Sequence, residues 1–419
     1  MKRGLVYLGA VALMFLIGGC ASIGFSDAQG WRSSQQKDFE AVLAEDRYSS
    51  LCNLKPLYQE YLQTKDTKIL SKLLVGYTQN LANSCIDIKA FKAVERAKQK
   101  NKIHTSYTFY TQDASAAKIL SQLQRGVPID AILAQYIPKN PQFKRLLAKL
   151  KQGGLSPANR KKVKMSLERS KVMSDDGWST YFLVNVPEFM VYFVENNQTK
   201  FNFPVVVGKK SWQTPIFDAT MKYVVLNPTW NVPDNIARSE EIPKLLKNKD
   251  RLKKKNMIVL KSYDTSKKPV DPNSIDWKKY LSPEYQKKAL PYKIIQLPSK
   301  YNALGRVKFM FPNTHSVYMH DTNAKYLFKR SFRAYSHGCI RLSKPMMMLD
   351  YLAQNGYLAT NKETVDKYLA SKKQKYINLS QQIPVHIGYF TAYVRDDGSI
   401  VYSSDVYGFD SSMKFKKGF

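Results

Sequence analysis

The sequence predicts an α+β protein with a helical N-terminal scaffold domain followed by a β-rich, β-sandwich-like domain. Three observations predict this order: helical periodicity before residue 150, short β-branched and aromatic runs after Trp178, and a lysine-rich segment that interrupts those runs. The 419 residues suffice for two or three domains, and the 44% hydrophobic content suffices for a packed core.

The scaffold domain is predicted to span residues 38–175. Its clearest helix has apolar residues at three- and four-residue steps, which places them on one buried face: Leu70, Leu73, Leu74, Tyr77 and Leu81. Gly153-Gly154-Leu155-Ser156-Pro157 indicates a loop, and one more helix near residues 158–171 leads into the next domain.

The β-rich domain is predicted to span residues 178–410. Asn196-Asn197 lies between two runs and has the composition of a hairpin turn. The predicted strands are residues 181–186, 189–195, 201–208, 222–226, 307–311, 316–320 and 385–394.

Residues 233–300 form an insert in this domain, rich in lysine and punctuated by proline. Residues 236–255 are predicted to be helical, and a long insert of this kind is typical of a lid or specificity element. The alternative is a disordered surface segment, but Trp277, Tyr280, Tyr285 and Tyr292 argue against complete disorder.

The first twenty residues predict export. Lys2 and Arg3 precede an apolar stretch that is too short for a membrane span, and Ile17-Gly18-Gly19-Cys20 resembles a bacterial lipobox. Residues 1–20 are therefore expected to be a lipoprotein-type signal peptide, with Cys20 lipidated and residues 21–37 as a tether. Ala21 after the cysteine favours a periplasmic protein anchored to the outer membrane; the alternative is a simple cleaved signal.

Cys52 and Cys85 remain after Cys20 and the motif cysteine Cys339 are set aside. Exported proteins occupy an oxidising compartment, and only the pairing Cys52–Cys85 leaves both functional thiols free. That disulfide is predicted; the alternative is two buried free thiols.

The formal net charge of +33 predicts attraction to anionic surfaces, the membrane surface among them. Nucleic acid is not an expected partner, since the chain is exported and lacks a binding motif. A solvated lysine-rich surface is the plainer interpretation of most of this charge.

The chemistry is expected near the segment that contains Cys339. Tyr318-Met319-His320-Asp321-Thr322 is followed, after fifteen residues, by Ser336-His337-Gly338-Cys339-Ile340-Arg341. A thiol needs a base to react at neutral pH, and Gly338 permits a tight turn whose amides could stabilise an oxyanion. Ser343 is predicted to cap the helix that follows.

The pattern His-x15-Ser-His-Gly-Cys-Ile-Arg resembles the signature of YkuD-type L,D-transpeptidases. Gln213-Thr214-Pro215 resembles the family's Thr-Pro turn, and two further segments, residues 227–233 and 302–309, resemble the long YcbB-like subgroup. The separate peptidoglycan-binding module of longer members is not recognisable here.

The resemblance implies a role for each motif residue. Cys339 is the nucleophile and His320 its base, oriented by the backbone carbonyl of Asp321. His337, Gly338 and Ser336 shape or support the oxyanion pocket, Arg341, Tyr318 and Trp230 contact substrate, and the insert caps the site.

The implied reaction is acyl transfer from tetrapeptide stems of peptidoglycan, with release of D-Ala and formation of 3-3 cross-links. No metal or cofactor is required, and carbapenem-type inhibitors are expected to acylate the thiol. Several alternatives stay open: an L,D-carboxypeptidase or endopeptidase, a lipoprotein-attaching enzyme, a zinc peptidase, and a non-catalytic wall-binding lipoprotein.

Overall fold

The computed structural model describes residues 30–417. The predicted signal peptide, Cys20 and residues 21–29 of the predicted tether lie outside this range. Within residues 30–417, no helix combines the length and the apolar character that a membrane span needs.

The N-terminal region is helical, as predicted. In α3 the predicted apolar face is buried, and Asp66 caps the helix by accepting a hydrogen bond from the backbone N of Lys68 at 2.8 Å. The helices are α1 (Ser33–Ala44), α2 (Lys55–Thr64), α3 (Thr67–Asn83), α4 (Ile88–Lys100), α5 (Ala116–Gln124), α6 (Ile129–Ala134), α7 (Pro141–Gln152) and α8 (Pro157–Ser170).

Helix α1 begins inside the stretch that the sequence assigns to the tether. Gln35 is the reason, because its buried side chain donates hydrogen bonds to the carbonyls of Leu123 and Val127 at 3.2 and 2.8 Å. Trp31 also stacks on Phe39, which is fully buried, with ring centroids 6.0 Å apart. The start of α1 is therefore packed against the rest of the scaffold.

All strands of residues 30–417 lie in the β-rich domain. They are β1 (Tyr181–Asn185), β2 (Met190–Glu195), β3 (Gln198–Gly208), β4 (Phe217–Leu226), β5 (Trp230–Asn231), β6 (Met257–Leu260), β7 (Lys293–Gln296), β8 (Val307–Met310), β9 (Met319–His320), β10 (Ala334–Ser336), β11 (Ile340–Leu342), β12 (Lys375–Gly388), β13 (Ala392–Val394) and β14 (Ile400–Tyr402).

Nine of these strands form one mixed sheet in the order β10-β3-β11-β9-β8-β4-β12-β1-β2. Because β2 also pairs with β3, the sheet closes on itself around an apolar interior. Strand β1 lies between two hydrophobic cores, and its side chains alternate between them. Phe182 and Val184 face the interior, while Tyr181 and Leu183 pack with the helices. The α+β prediction is confirmed, and the scaffold shares a core with the outer face of β1 and β2.

The insert is folded and has its own hydrophobic core. Its three-stranded sheet has the order β5-β7-β6, and Trp277 and Ile242 are buried beside it. Its helices are α9 (Asp234–Ile236), α10 (Ile242–Lys247) and α11 (Arg251–Lys254), and a π-helical turn, Ala237–Glu241, joins the first two.

The C-terminal part of the chain returns to the scaffold. Arg169 of α8 forms a buried ion pair with Asp410 at 2.6 Å, and the backbone N of Lys416 donates to the carbonyl of Cys85 at 2.8 Å. The remaining helices are α12 (Pro345–Gln354), α13 (Lys362–Ala370) and α14 (Phe409–Ser412).

Cys52 and Cys85 form a disulfide, the pairing that the sequence predicts. Glu168 accepts a hydrogen bond from the backbone N of Cys85 at 2.6 Å and pairs with Lys171 at 2.9 Å, and both charged side chains are fully buried. The disulfide and this ion pair join α8 to the start of the scaffold. In residues 30–417, the one cluster with metal-ligand spacing consists of these two cysteines and Glu168.

The predicted cap of α12 is wrong. Lys344 occupies the N-cap position without a side-chain hydrogen bond, and the buried hydroxyl of Ser343 has no partner in the described residues. The cause is that the backbone N of Ser343 donates to the carbonyl of Pro204 at 3.1 Å, which keeps Ser343 at the end of a strand.

Candidate active site

Three basic residues form one row across the sheet. Lys308 of β8 pairs with His320 of β9, and His320 pairs with Arg341 of β11. Their neighbours Phe309, Met319 and Ile340 face the apolar interior, so the three basic side chains share the opposite face of the sheet. The thiol of Cys339, two residues before Arg341, therefore lies in a positive environment.

His320 is buried and its tautomer is fixed by the backbone. Nδ1 lies 2.5 Å from the carbonyl O of Asp321, the contact that the resemblance implies. Since a carbonyl only accepts, Nδ1 carries the hydrogen and Nε2 is left as an acceptor. Burial, followed by the charges of Arg341 and Lys308, lowers the pKa of His320 to about 3, so the ring is neutral near pH 7.

The carboxylate of Asp321 holds the neighbouring loop in place. It accepts hydrogen bonds from the backbone N of Arg306 at 2.8 Å and of Thr322 at 2.7 Å, and it pairs with Lys325 at 2.5 Å. Gly305 has φ +61° and lies against this carboxylate, because a Cβ there would come within 2.2 Å of Oδ2. The close approach of Gly305 positions the residue whose carbonyl orients His320.

Backbone hydrogen bonds shape the loop before Cys339. Gly338 has φ +109°, which favours glycine, and its carbonyl accepts a hydrogen bond from the hydroxyl of Thr214 at 2.8 Å. The hydroxyl of Ser336 donates to the carbonyl of Cys339 at 2.5 Å and accepts from the backbone N of Gly338 at 3.2 Å. The N–H of Gly338 is thus engaged within the loop, while that of Cys339 donates to no group among residues 30–417.

Cys339 is a half-buried free thiol. Sγ lies 3.8 Å from the carbonyl O of Ser316, and Tyr318 lies near enough to the thiol to influence its pKa. Burial raises the pKa of Cys339 above its ordinary value, and the charges of Lys308 and Arg341 oppose that rise. The resting site therefore holds a neutral thiol and a neutral imidazole, and within the described residues no hydrogen bond joins them.

His337 connects the loop to the insert. Nε2 lies 3.1 Å from Oε1 of Glu240, in the π-helical turn of the insert, and also 3.1 Å from Nζ of Lys209. Nε2 must carry a hydrogen to donate to Glu240, but it must have a free lone pair to accept from Lys209. One tautomer therefore cannot satisfy both contacts. Burial lowers the pKa of His337, with Lys209 the next cause, so the ring is neutral above about pH 6.5.

The predicted substrate-binding residues are in different places. Arg341 is half-buried, and its Nε is buried without a partner in the described part of the chain, which leaves a donor for an anionic ligand. Tyr318 contacts the thiol, and Lys308 lies 4.3 Å from the centre of its ring. Trp230 instead pairs with β7 and packs on the core of the insert.

Sequence reasoning missed Lys308, Glu240 and Lys209. Lys308 lies between Val307 and Phe309, which are both buried. This alternation indicates that the lysine is on the same face of the sheet as His320, and it could have identified Lys308. Nothing in the lysine-rich insert distinguished Glu240 before the fold was known.

Comparison with known proteins identifies the domain that carries this site. The family model described as YkuD, the L,D-transpeptidase catalytic domain, matches residues 179–360. A curated protein of Haemophilus influenzae, provisionally named an L,D-transpeptidase, is 28% identical over 349 residues, which cover 82% of this chain and 66% of that protein.

Solved structures give a much weaker similarity. An L,D-transpeptidase from Mycobacterium smegmatis and the LD transpeptidase LdtMt1 in complex with imipenem each share 10% identity and a TM-score of 0.21, over 50% of this chain and 58% of theirs. Scores this low say nothing about the fold or ligands of this chain. The family match and the curated relative together identify residues 179–360 as a YkuD-type L,D-transpeptidase catalytic domain.

Proposed function

We propose that this chain is a cysteine L,D-transpeptidase of the YcbB-like subgroup that forms 3-3 cross-links in peptidoglycan. The observation that carries the proposal is the grouping of Cys339, neutral His320 with Nε2 as acceptor, and the positive charges of Lys308 and Arg341, all inside the family domain. A structural cysteine would need none of these neighbours.

In the first step Sγ of Cys339 attacks the carbonyl carbon of the L-centre of the diamino acid in a tetrapeptide stem. The thiol first turns from the carbonyl of Ser316 toward Nε2 of His320, which takes its proton. A C–S bond forms, the amide bond to D-Ala breaks, and His320 returns the proton to the leaving amine. The N–H of Cys339 stabilises the oxyanion.

In the second step an amine from a neighbouring stem attacks the thioester. The new C–N bond forms, the C–S bond breaks, and the amine proton passes to His320 and then to the leaving thiolate. The insert, in contact with the loop through Glu240, covers the thioester and excludes water. Loss of this exclusion would favour an L,D-carboxypeptidase, the second candidate within the same chemistry.

The predicted cellular location of the protein is also part of the proposal. The disulfide Cys52–Cys85 suits an oxidising compartment, and the sequence of residues 1–20 suits a lipid anchor at Cys20. A positively charged protein held there would lie against an anionic membrane surface. Labelling with a fatty acid, lost in Cys20→Ala, tests the anchor.

Intact mass after incubation with a carbapenem tests the nucleophile. The wild type should gain one adduct and Cys339→Ala none, while a chelator should change neither this result nor the release of D-Ala from purified tetrapeptide. A wild type that forms no adduct and loses activity to the chelator would contradict the cysteine mechanism and favour a metal hydrolase.

A further inference from the structure

A pocket of about 470 Å³ separates a segment of the scaffold from the catalytic loop. The scaffold supplies Gln99 and residues 102–106, and the catalytic domain supplies His337 and Gly338, the two residues before the nucleophile. Cys339 itself is not among the residues that line the pocket. A bound molecule would therefore lie beside the thiol and not on it.

Backbone hydrogen bonds fix the scaffold segment against the catalytic domain. The backbone N of His104 donates to the carbonyl of Ser211 at 2.9 Å, and that of Gln213 donates to the carbonyl of His104 at 2.8 Å. The rings of His104 and Trp212 stack with centroids 3.6 Å apart, and Trp212 meets the ring of His337 edge-on at 5.5 Å. The pocket is thus a built feature of the free protein.

Two buried polar atoms in its wall have no hydrogen-bond partner among residues 30–417. They are Oγ1 of Thr105 and Oε1 of Gln213, and each of these residues is only 7% exposed. An unpaired buried polar atom costs roughly 1–3 kcal/mol. Once the two side chains turn toward the pocket, a ligand with an N–H for Gln213 and a polar group for Thr105 would remove this cost.

The charged residues that line the pocket indicate which class of ligand it binds. Lys102 lies at the pocket, and no aspartate or glutamate is among the residues that line it. A carboxylate is therefore favoured, and the wall offers no negatively charged partner to an ammonium group. A peptide with amide groups, a carboxylate and an amine that must react uncharged fits these features.

We propose that this pocket binds the peptide that supplies the attacking amine, with Thr105 and Gln213 as binding residues. The inference rests on the proposed function, because it assigns the second substrate of the same reaction. The occupant's nitrogen attacks the thioester carbonyl from beside Gly338, a C–N bond replaces the C–S bond, and the proton moves to His320.

The test separates the two steps of the reaction. Thr105→Val and Gln213→Met remove the unpaired atoms, and Thr391→Val is the matched control, since its buried hydroxyl is also unpartnered in the described part of the chain but is not in the pocket wall. The full chain is assayed with a tetrapeptide stem as donor and a tripeptide ending in the diamino acid as acceptor.

We expect each pocket variant to need about tenfold more tripeptide for half-maximal transfer, the effect of one lost hydrogen bond. The release of D-Ala without acceptor should be unchanged, and Thr391→Val should behave as wild type. Unchanged dependence on the tripeptide would overturn the proposal. A rise only in the concentration of tetrapeptide needed for half-maximal transfer would also overturn it, because the pocket would then bind the donor.

A binding measurement on an inactive variant tests the pocket independently of the proposed function. In a Cys339→Ala background, calorimetry should show weaker binding of the tripeptide after Thr105→Val. Equal affinity with and without Thr105→Val would refute the pocket assignment even if wild type transfers acyl groups. A wild type that never releases D-Ala would instead refute the proposed function.

Discussion

Oε1 of Glu240 lies 3.1 Å from Nε2 of His337, so the insert touches the catalytic loop two residues before the nucleophile. Glu240 belongs to a π-helical turn, a form that is frequent at functional sites. The pKa of Glu240 is lowered despite burial, because Lys244, His337 and Lys209 favour its charged form. This contact couples the position of the insert to the shape of the loop.

Glu240→Gln should lower the rate of acyl transfer about fivefold, the effect of about 1 kcal/mol from one charge-assisted hydrogen bond. Hydrolysis of the thioester should rise, because a loosened insert admits water. The ratio of cross-linked dimer to hydrolysed tripeptide measures both effects. Glu284→Gln is the control, since Glu284 is an exposed residue of the insert that pairs with Lys288; equal ratios in the two variants would exclude the coupling.

Gly305→Ala should destabilise the protein by about 2–4 kcal/mol and reduce activity. The new Cβ would meet the carboxylate of Asp321, whose backbone carbonyl orients His320, in addition to the strain of φ +61°. Gly356→Ala is the matched control, because Gly356 has φ +72° and open space around it. We expect that variant to lose about 1 kcal/mol and to keep full activity. Urea unfolding and D-Ala release measure the two outcomes.

His320→Gln should make the protein more resistant to acid. The folded pKa of about 3 lies below the unfolded value, so below about pH 6.5 the unfolded chain binds a proton that the folded chain does not. This stability is present above the unfolded pKa and is lost as the pH falls toward 3, at about 1.4 kcal/mol per pH unit. Unfolding free energies at pH 7 and pH 4.5 should therefore differ less in the variant than in wild type. A difference as large as that of wild type would mean that His320 is not held neutral.

Lys308→Met should slow alkylation of Cys339. The thiol pKa is already raised by burial, and the charge of Lys308 opposes this rise, so its removal raises the thiol pKa further and lowers the thiolate fraction. The rate of reaction with iodoacetamide between pH 7 and pH 10 measures the effect, which should be a shift of the profile to higher pH. Lys222→Met, at an exposed position of β4, should leave the profile unchanged.

Replacing Cys52 and Cys85 with alanine should lower the free energy of unfolding by about 3 kcal/mol, since the disulfide closes a long loop in the unfolded chain. The two residues are separated by 33 positions and lie beside the buried Glu168–Lys171 pair. A reducing agent should destabilise the wild type and the Cys339→Ala control equally. It should have no effect on the double variant; an equal response there would remove the disulfide as the cause.

The sequence predicts those parts of the fold in which local pattern and final packing agree. The helical periodicity of Leu70 to Leu81 is the buried face of α3, and Asn196 and Asn197 both have positive φ, as a tight hairpin turn requires. The motif histidine and cysteine are close because β9 and β11 are neighbours in the sheet.

Two strand predictions are wrong for physical reasons. Only Met319 and His320 of the predicted strand 316–320 are extended, because Ser316 has φ +56° and the side chain of Asn313 accepts a hydrogen bond from the backbone N of Val317. Strand β12 begins at Lys375, ten residues before the predicted start. Its first half was not predicted because it is polar except for Ile377 and Leu379, which are buried. Contacts such as that of Glu240 with His337 join distant segments, and no local pattern encodes them.

Closure of the sheet has a consequence for the smallest unit of this chain that can fold. Strand β12 lies between β4 and β1, yet it follows residue 360, where the family match ends. A fragment cut to the matched segment would lack this strand and would expose two unpaired edges, which promote aggregation. Recombinant truncation after residue 360 should therefore yield insoluble protein, and a chain that stops there would lose its catalytic domain although the motif residues are all present.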